Sequence, residues 1–174
     1  MKTTFTIYIG ILLLSLGLTA CSNDDDHNTG MPKTRIGNDA VVFNFENQSF
    51  RDSLELQLTF PDSVKEIPEN GFWLYLPFYQ TSGNQTWYPI PGVREDLQYK
   101  VYHQFSPIGE TTRQTSLQIK VEEDKSMKPY GKELSYSRLE IIAINPEAIR
   151  NLTPEDLNLR DYNEVVRHFD LDQK

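Results

Sequence analysis

The segment Asp52–Phe60 carries the cleanest strand signal in the chain. Leu54, Leu56, Leu58 and Phe60 fall on one side, and Ser53, Glu55, Gln57 and Thr59 on the other. A period of two sends successive side chains to opposite faces of an extended backbone, so this segment reads as a half-buried strand, stopped by Pro61-Asp62. The signature recurs along the chain. Asp39–Phe45 alternates through Val41, Phe43 and Phe45. Phe72–Tyr79 is apolar on both faces, and Asn84–Ile90 is a short strand halted by Pro91-Gly92. Leu97–Phe105 alternates through Leu97, Tyr99, Val101 and Phe105, and Thr115–Val121 through Thr115, Leu117, Ile119 and Val121. Ser135–Ile144 ends in the apolar run Ile141–Ile144. These seven segments, separated by turn residues with no helical period between them, predict a mainly β fold: an antiparallel sandwich of about seven strands.

The C-terminus changes period. Asn145-Pro146-Glu147 places a capping Asn before a Pro at the first helical position, and Thr153-Pro154-Glu155 repeats that pattern. Asp161-Tyr162-Asn163-Glu164 is a capping box with Asp in the Ser/Thr place. It opens a short helix in which Tyr162, Val165, Val166 and Phe169 form one apolar stripe. So short a helix is marginal alone, and the stripe is expected to pack on the sandwich within a helical tail of about 146–170; docking to a partner is the alternative.

The N-terminus carries a different message. Lys2 precedes an apolar run, Ile7–Leu18, which ends at Leu18-Thr19-Ala20-Cys21, and the sequence has no other cysteine. The run is short for a bilayer span of ~20 apolar residues, and acid rather than Lys or Arg follows it. It has the layout of a secretory signal. Leu18–Cys21 resembles the lipobox of bacterial lipoproteins, and Ser22-Asn23-Asp24-Asp25-Asp26 resembles the acidic tract of Bacteroidota surface lipoproteins. The resemblance implies that residues 1–20 are removed and that Cys21 is acylated as the first mature residue. It also implies anchorage in the outer membrane, facing the cell exterior. One acyl chain holds only reversibly, whereas the three chains implied here would anchor the domain stably at about 0.8 kcal/mol per buried methylene. Residues 21–38, with Gly30, Pro32 and Gly37 and no hydrophobic period, read as a flexible acidic tether. Residues 39–174 form the domain.

Two further resemblances concern the domain. The segment Trp87-Tyr88-Pro89-Ile90-Pro91, the Ile141–Ile144 strand and the Asp161-Tyr162 helix look like small Bacteroidota surface lipoproteins that pair an Ig-like or transthyretin-like sandwich with a helical tail. The Cys pair around a Trp that marks true immunoglobulin domains is absent. Asp52-Ser53-Leu54 and Asp62-Ser63-Val64 resemble the Asp-Ser/Thr-apolar sequon for O-glycosylation of exported Bacteroidota proteins. Ser63, in a turn, is expected to take a sugar more readily than Ser53, on a strand.

Charge narrows the partners. The formal net charge is −8, and loss of Lys2 with the signal makes it −8 − 1 = −9 over 174 − 20 = 154 residues. Nucleic acid needs a basic stripe, which this composition opposes. With its one cysteine lipidated, the domain has no disulfide and depends on packing.

No catalytic constellation is legible. His27, His103 and His168 form no metal-ligand spacing, and the parity of His103 with Tyr99 and Val101 suggests a core-edge histidine held by backbone. No nucleophile elbow, phosphate loop or dinucleotide fingerprint occurs, and no cofactor is expected. The one constellation that invites a sharper hypothesis is aromatic. Trp73, Tyr75 and Tyr79 share the odd face of the Phe72–Tyr79 strand, and Trp87 and Tyr88 follow on its neighbour. Rings with polar tips can stack on sugars or grip a protein. The alternative is a strand buried on both faces, with the C-terminal helix covering the Trp/Tyr side. Two functions follow: a non-enzymatic surface binding or assembly module, such as an accessory to an outer-membrane complex, or a carbohydrate-binding protein using this platform.

Overall fold

The computed structural model describes residues 32–65, 68, 72–92, 99–109 and 113–172. The signal segment, Cys21 and most of the tether lie outside them. Eight strands follow in order: β1 (Lys33–Ile36), β2 (Ala40–Arg51), β3 (Ser53–Thr59), β4 (Leu74–Gln80), β5 (Tyr88–Pro89), β6 (Tyr99–Pro107), β7 (Gln114–Glu123) and β8 (Glu133–Ile144). Two short helices, α1 (Pro146–Ile149) and α2 (Tyr162–His168), come last. All the seven expected strands are present, in two antiparallel sheets ordered β1-β2-β8-β4-β5 and β3-β7-β6. The fold is an antiparallel β-sandwich.

The strand expected over 39–45 runs on to Arg51, and β6, β7 and β8 extend by one or two residues past their expected ends; three further differences change the reading more. The tether expected to reach Asn38 stops earlier, because Lys33–Ile36 pairs with Val41–Asn44 as an edge strand. Only Arg35 of its four side chains is half-buried, so the segment has no alternation to betray it. The strand expected over 84–90 shrinks to two residues, since Asn84–Thr86 is spent on a turn. The helix signal at Thr153 makes a turn instead: Thr153 N and Oγ1 both donate to Asp156 Oδ2, at 2.8 Å each.

The sequence periods explain the layers. On β3 and β7 every second residue is buried, and the three-stranded sheet turns its other face to solvent. The central strands of the larger sheet bury both faces. Val41, Phe43 and Phe45 of β2, with Leu139, Ile141 and Ala143 of β8, point into the sandwich. Ala40, Val42, Ile142 and Ile144 point the opposite way, into a second apolar cluster. Residues 145–172 cover that second face, so the molecule has three layers with the five-stranded sheet in the middle.

The C-terminal stripe docks internally, as expected. Tyr162, Val165, Val166 and Phe169 are all buried in the second cluster. Asp161 caps α2 through Oδ1, accepting from the N–H groups of Asn163 and Glu164. Burial of a Val or Phe side chain contributes roughly 1.5–3 kcal/mol, which compensates for the poor intrinsic stability of a helix this short. The tail is also tied to the start of the domain: Asn38 N donates to Phe169 O at 2.9 Å, and a side chain at Gly37 would run into that same carbonyl.

Candidate functional site

Glu140 interrupts the apolar outward face of β8. It sits between Phe78 and Asn44 on the neighbouring strands and is completely buried. A carboxylate in such a place must be paired and hydrogen-bonded. Both of its oxygens are served. Oε2 accepts from Arg35 NH2 and from the Tyr162 hydroxyl, each at 2.6 Å, and Oε1 accepts from Arg138 NH2 at 2.8 Å. One carboxylate thus joins the edge strand β1, the central strand β8 and the tail helix α2. Burial pulls the Arg35 guanidinium toward lower pKa, but the bonds and charges of Tyr162 and Glu140 outweigh it and hold it above its ordinary value. Burial, reinforced by the Glu140 charge, pushes the Tyr162 hydroxyl well above its usual range, so it remains a donor.

Arg138 and Tyr162 carry this network to the surface. Trp87 stacks on Tyr162 with ring centroids 4.0 Å apart and planes at 19°. The Arg138 guanidinium lies over the same indole, 5.1 Å from its centroid. At that distance the guanidinium makes a cation–π contact with the ring. These three residues form part of an open polar groove of about 1010 Å³. The β4–β5 connection supplies one wall. There Asn84 is fixed by two bonds, accepting from Thr86 N at 2.8 Å and donating to the Tyr88 hydroxyl at 2.9 Å. The C-terminal segment supplies the other wall with Asn158, Arg160 and Asn163. Asn158 Oδ1 accepts from Arg160 N at 3.0 Å and shapes that turn.

The five aromatics singled out in the sequence do not form one surface. Trp73 is buried and stacks on Phe60 at 4.6 Å. Tyr75 stacks on Phe105 at 4.2 Å, and its hydroxyl bonds Thr115 Oγ1 across the sandwich at 2.9 Å. Tyr79 is buried and stacks on Tyr136 at 4.3 Å. Tyr88 is half-buried beside Tyr79, with ring centroids 5.5 Å apart. All four belong to the inner core, and only Trp87 lies on the other side of the sheet. The strand is buried on both faces, but the tail covers Leu74, Leu76 and Phe78 rather than the Trp/Tyr face. The ring platform is therefore corrected to a single ring, Trp87, that keeps company with charged and amide side chains.

The remaining candidates separate. Ser53 and Ser63 are both exposed, the first beginning β3 and the second in the turn after Pro61. Arg113 holds that turn by donating to Pro61 O at 3.1 Å and Val64 O at 3.2 Å. His103 is half-buried on β6, its ring 5.1 Å from Phe105. Burial pulls its pKa below the ordinary value, opposed by a backbone hydrogen bond at Ile90, as a core-edge histidine should behave. Among the described residues no three His, Cys, Asp or Glu side chains are grouped to hold a metal.

The sequence reading passed over Glu140, Arg35, Arg138 and Arg160. A signal existed for two of them. Arg138 and Glu140 share parity with Ile142 and Ile144 on a strand with both faces apolar at its end, and a charge inside such a stripe needs a partner. Arg35 was hidden in the presumed tether, and Arg160 carries no local pattern. No family model, no curated protein and no solved structure matches this chain.

Proposed function

We propose that this chain is a non-enzymatic binding module, displayed on the outer membrane through an acylated Cys21, that takes its ligand in the groove between the β4–β5 connection and the C-terminal segment. The observation that supports this reading most is the construction of the groove. Its floor is fixed by a fully buried carboxylate, a stacked Trp–Tyr pair and a guanidinium laid on the indole. Rigid support beneath a polar, solvent-open surface is what recognition requires, because ordering costs are met in folding rather than in binding. The carbohydrate reading favoured by the aromatics moves to this groove and keeps only Trp87 of its original five rings.

Two experiments test the reading. Mass spectrometry of the N-terminal peptide should find acylated cysteine, and a Cys21→Ser form should leave the membrane fraction. A photo-reactive residue at position 163 of the full chain, in native membranes, should crosslink a ligand. The same residue at position 57, on the exposed face of β3, should not. Equal crosslinking from both positions would refute the groove as the binding site.

The O-glycosylation sequons remain part of the proposal. Ser63 is expected to carry sugar more readily than Ser53, because its turn leaves the backbone around it open to solvent. Intact mass and peptide mapping of protein from the native host decide it. A glycan confined to Ser53 would show the turn argument wrong.

A further inference from the structure

We infer that the groove takes an anionic glycan, a sugar chain bearing carboxylates or sulfates, held by Arg138 and Arg160 rather than by a sugar ring stacked on Trp87. This deepens the reading of the groove as a binding site and rests on it.

Four observations carry the inference. First, the Trp87 ring is already engaged within the protein: Tyr162 stacks on it with centroids 4.0 Å apart, and the Arg138 guanidinium lies 5.1 Å from its centroid. Second, two arginines line the groove in an acidic chain. Arg160 is exposed and its side chain makes no ion pair among the described residues. Arg138 commits one nitrogen to Glu140 Oε1, at 2.8 Å, and its side chain is 44% exposed; a guanidinium has five N–H donors in a planar fork, so several remain for a ligand. The one carboxylate on the lining, Asp161, keeps its charge but turns Oδ1 to the backbone N–H groups of Asn163 and Glu164, at the start of α2. Carboxylates and sulfates are the groups that arginine binds in bidentate fashion, and two arginines on one groove, in a chain of net charge −8, point to such a ligand.

Third, the rim offers hydroxyl chemistry. Gln85 and Asn163 are exposed there, and their side-chain amides have no partner among the described residues. Each presents donor and acceptor together, which is the pairing a sugar hydroxyl needs. Fourth, the volume of about 1010 Å³ stands at the top of the range for compact ligand pockets, ~300–1,000 Å³, and the groove is open. That suits a segment of a chain more than a single small metabolite. A protein partner fits less well, because protein interfaces centre on an apolar core, and this lining has none beyond the covered indole.

Calorimetric titration of the full chain in detergent tests the inference with three probes: an oligogalacturonate, a sulfated chondroitin oligosaccharide, and the fully methyl-esterified oligogalacturonate. At least one acidic probe should bind. The esterified probe, the same chain without its charge, should bind on the order of tenfold more weakly than the free acid if the carboxylate is the recognised anion. Added salt should weaken binding of the acidic probe. Arg160→Gln should lower affinity on the order of tenfold with circular dichroism and thermal midpoint unchanged, since its side chain supports nothing inside the fold. Arg138→Gln should lower it further, but it also disturbs Glu140, so Arg160→Gln is the deciding variant. Binding of neither acidic probe overturns the inference, as does binding indifferent to Arg160→Gln. Crosslinking at position 163 that captures a protein while neither probe binds sinks the glycan and leaves the binding module standing. No crosslink and no probe binding sink both.

Discussion

The two faces of the five-stranded sheet bury their side chains by different means. The inner face meets the three-stranded sheet through aliphatic and aromatic side chains, among them Phe43, Leu117, Ile119 and Leu139, each fully buried. Its polar side-chain contacts are few, the bond of Tyr75 to Thr115 across the sandwich among them. The outer face meets the tail through aliphatic side chains as well, but Glu140, Arg35 and Tyr162 pass through the middle of that layer. Apolar packing is non-directional and sets how stable a layer is. A buried carboxylate with three donors is directional, because it is satisfied in one arrangement and costly in others. The inner layer therefore makes the domain, and the outer layer fixes where the tail sits and with it the far wall of the groove.

Substitutions can break that division. The largest effect is expected inside the sandwich. Phe43→Ala removes a fully buried ring that meets Phe60 edge-on at 5.2 Å, and should cost about 3–5 kcal/mol in urea unfolding, as ring-to-Ala cavities do. Next comes Glu140→Gln, which keeps the shape but sets an amide against two guanidiniums. Breaking a buried pair can cost ~3–5 kcal/mol. Here the stranded arginines Arg35 and Arg138 are 32% and 44% exposed, and water relieves them, so about 2 kcal/mol is expected. Tyr162→Phe keeps the stack on Trp87 but deletes the donor to Glu140 and the longer bond accepted from Arg35, for a loss of roughly 1.5 kcal/mol, dominated by the short bond to a charged group.

The fold was legible where residues obey a single period. Leu54 to Phe60 and Thr115 to Val121 announce their strands, and Tyr162 to Phe169 announces a stripe that the structure buries. Legibility failed where one residue serves two neighbours. Trp73, Tyr75 and Tyr79 share one face of their strand, but the register pairs Tyr79 with Tyr88 and so puts Trp87 on the other face; sequence alone does not give that register. The pairing of Arg35 with Glu140 spans the length of the domain and lies between a segment that looked like tether and a strand that looked purely apolar. Such contacts follow from topology, which the period of a strand does not encode.

The smallest expected effect sharpens the comparison from the inner side. His103 has a folded pKa below the ordinary imidazole value, first because burial disfavours the charged ring. The unfolded chain then binds a proton at a pH where the folded one does not. Stability should fall as the pH drops through about 6.5 and level off below the folded pKa. In a His103→Leu variant this component of the slope should vanish. An unchanged slope would assign the effect to other groups.

The division of labour between the two faces is tested most directly by native-state hydrogen exchange on wild type and Glu140→Gln. In Glu140→Gln the amides of Val165, Phe169 and Leu171, bonded within the tail, should lose protection by a sub-global opening, while those of Leu117, Ile119 and Leu139 stay at the global limit. Equal loss at all of these amides would contradict that division, and would mean that the tail and the sandwich form one cooperative unit in which Glu140 has no separate role.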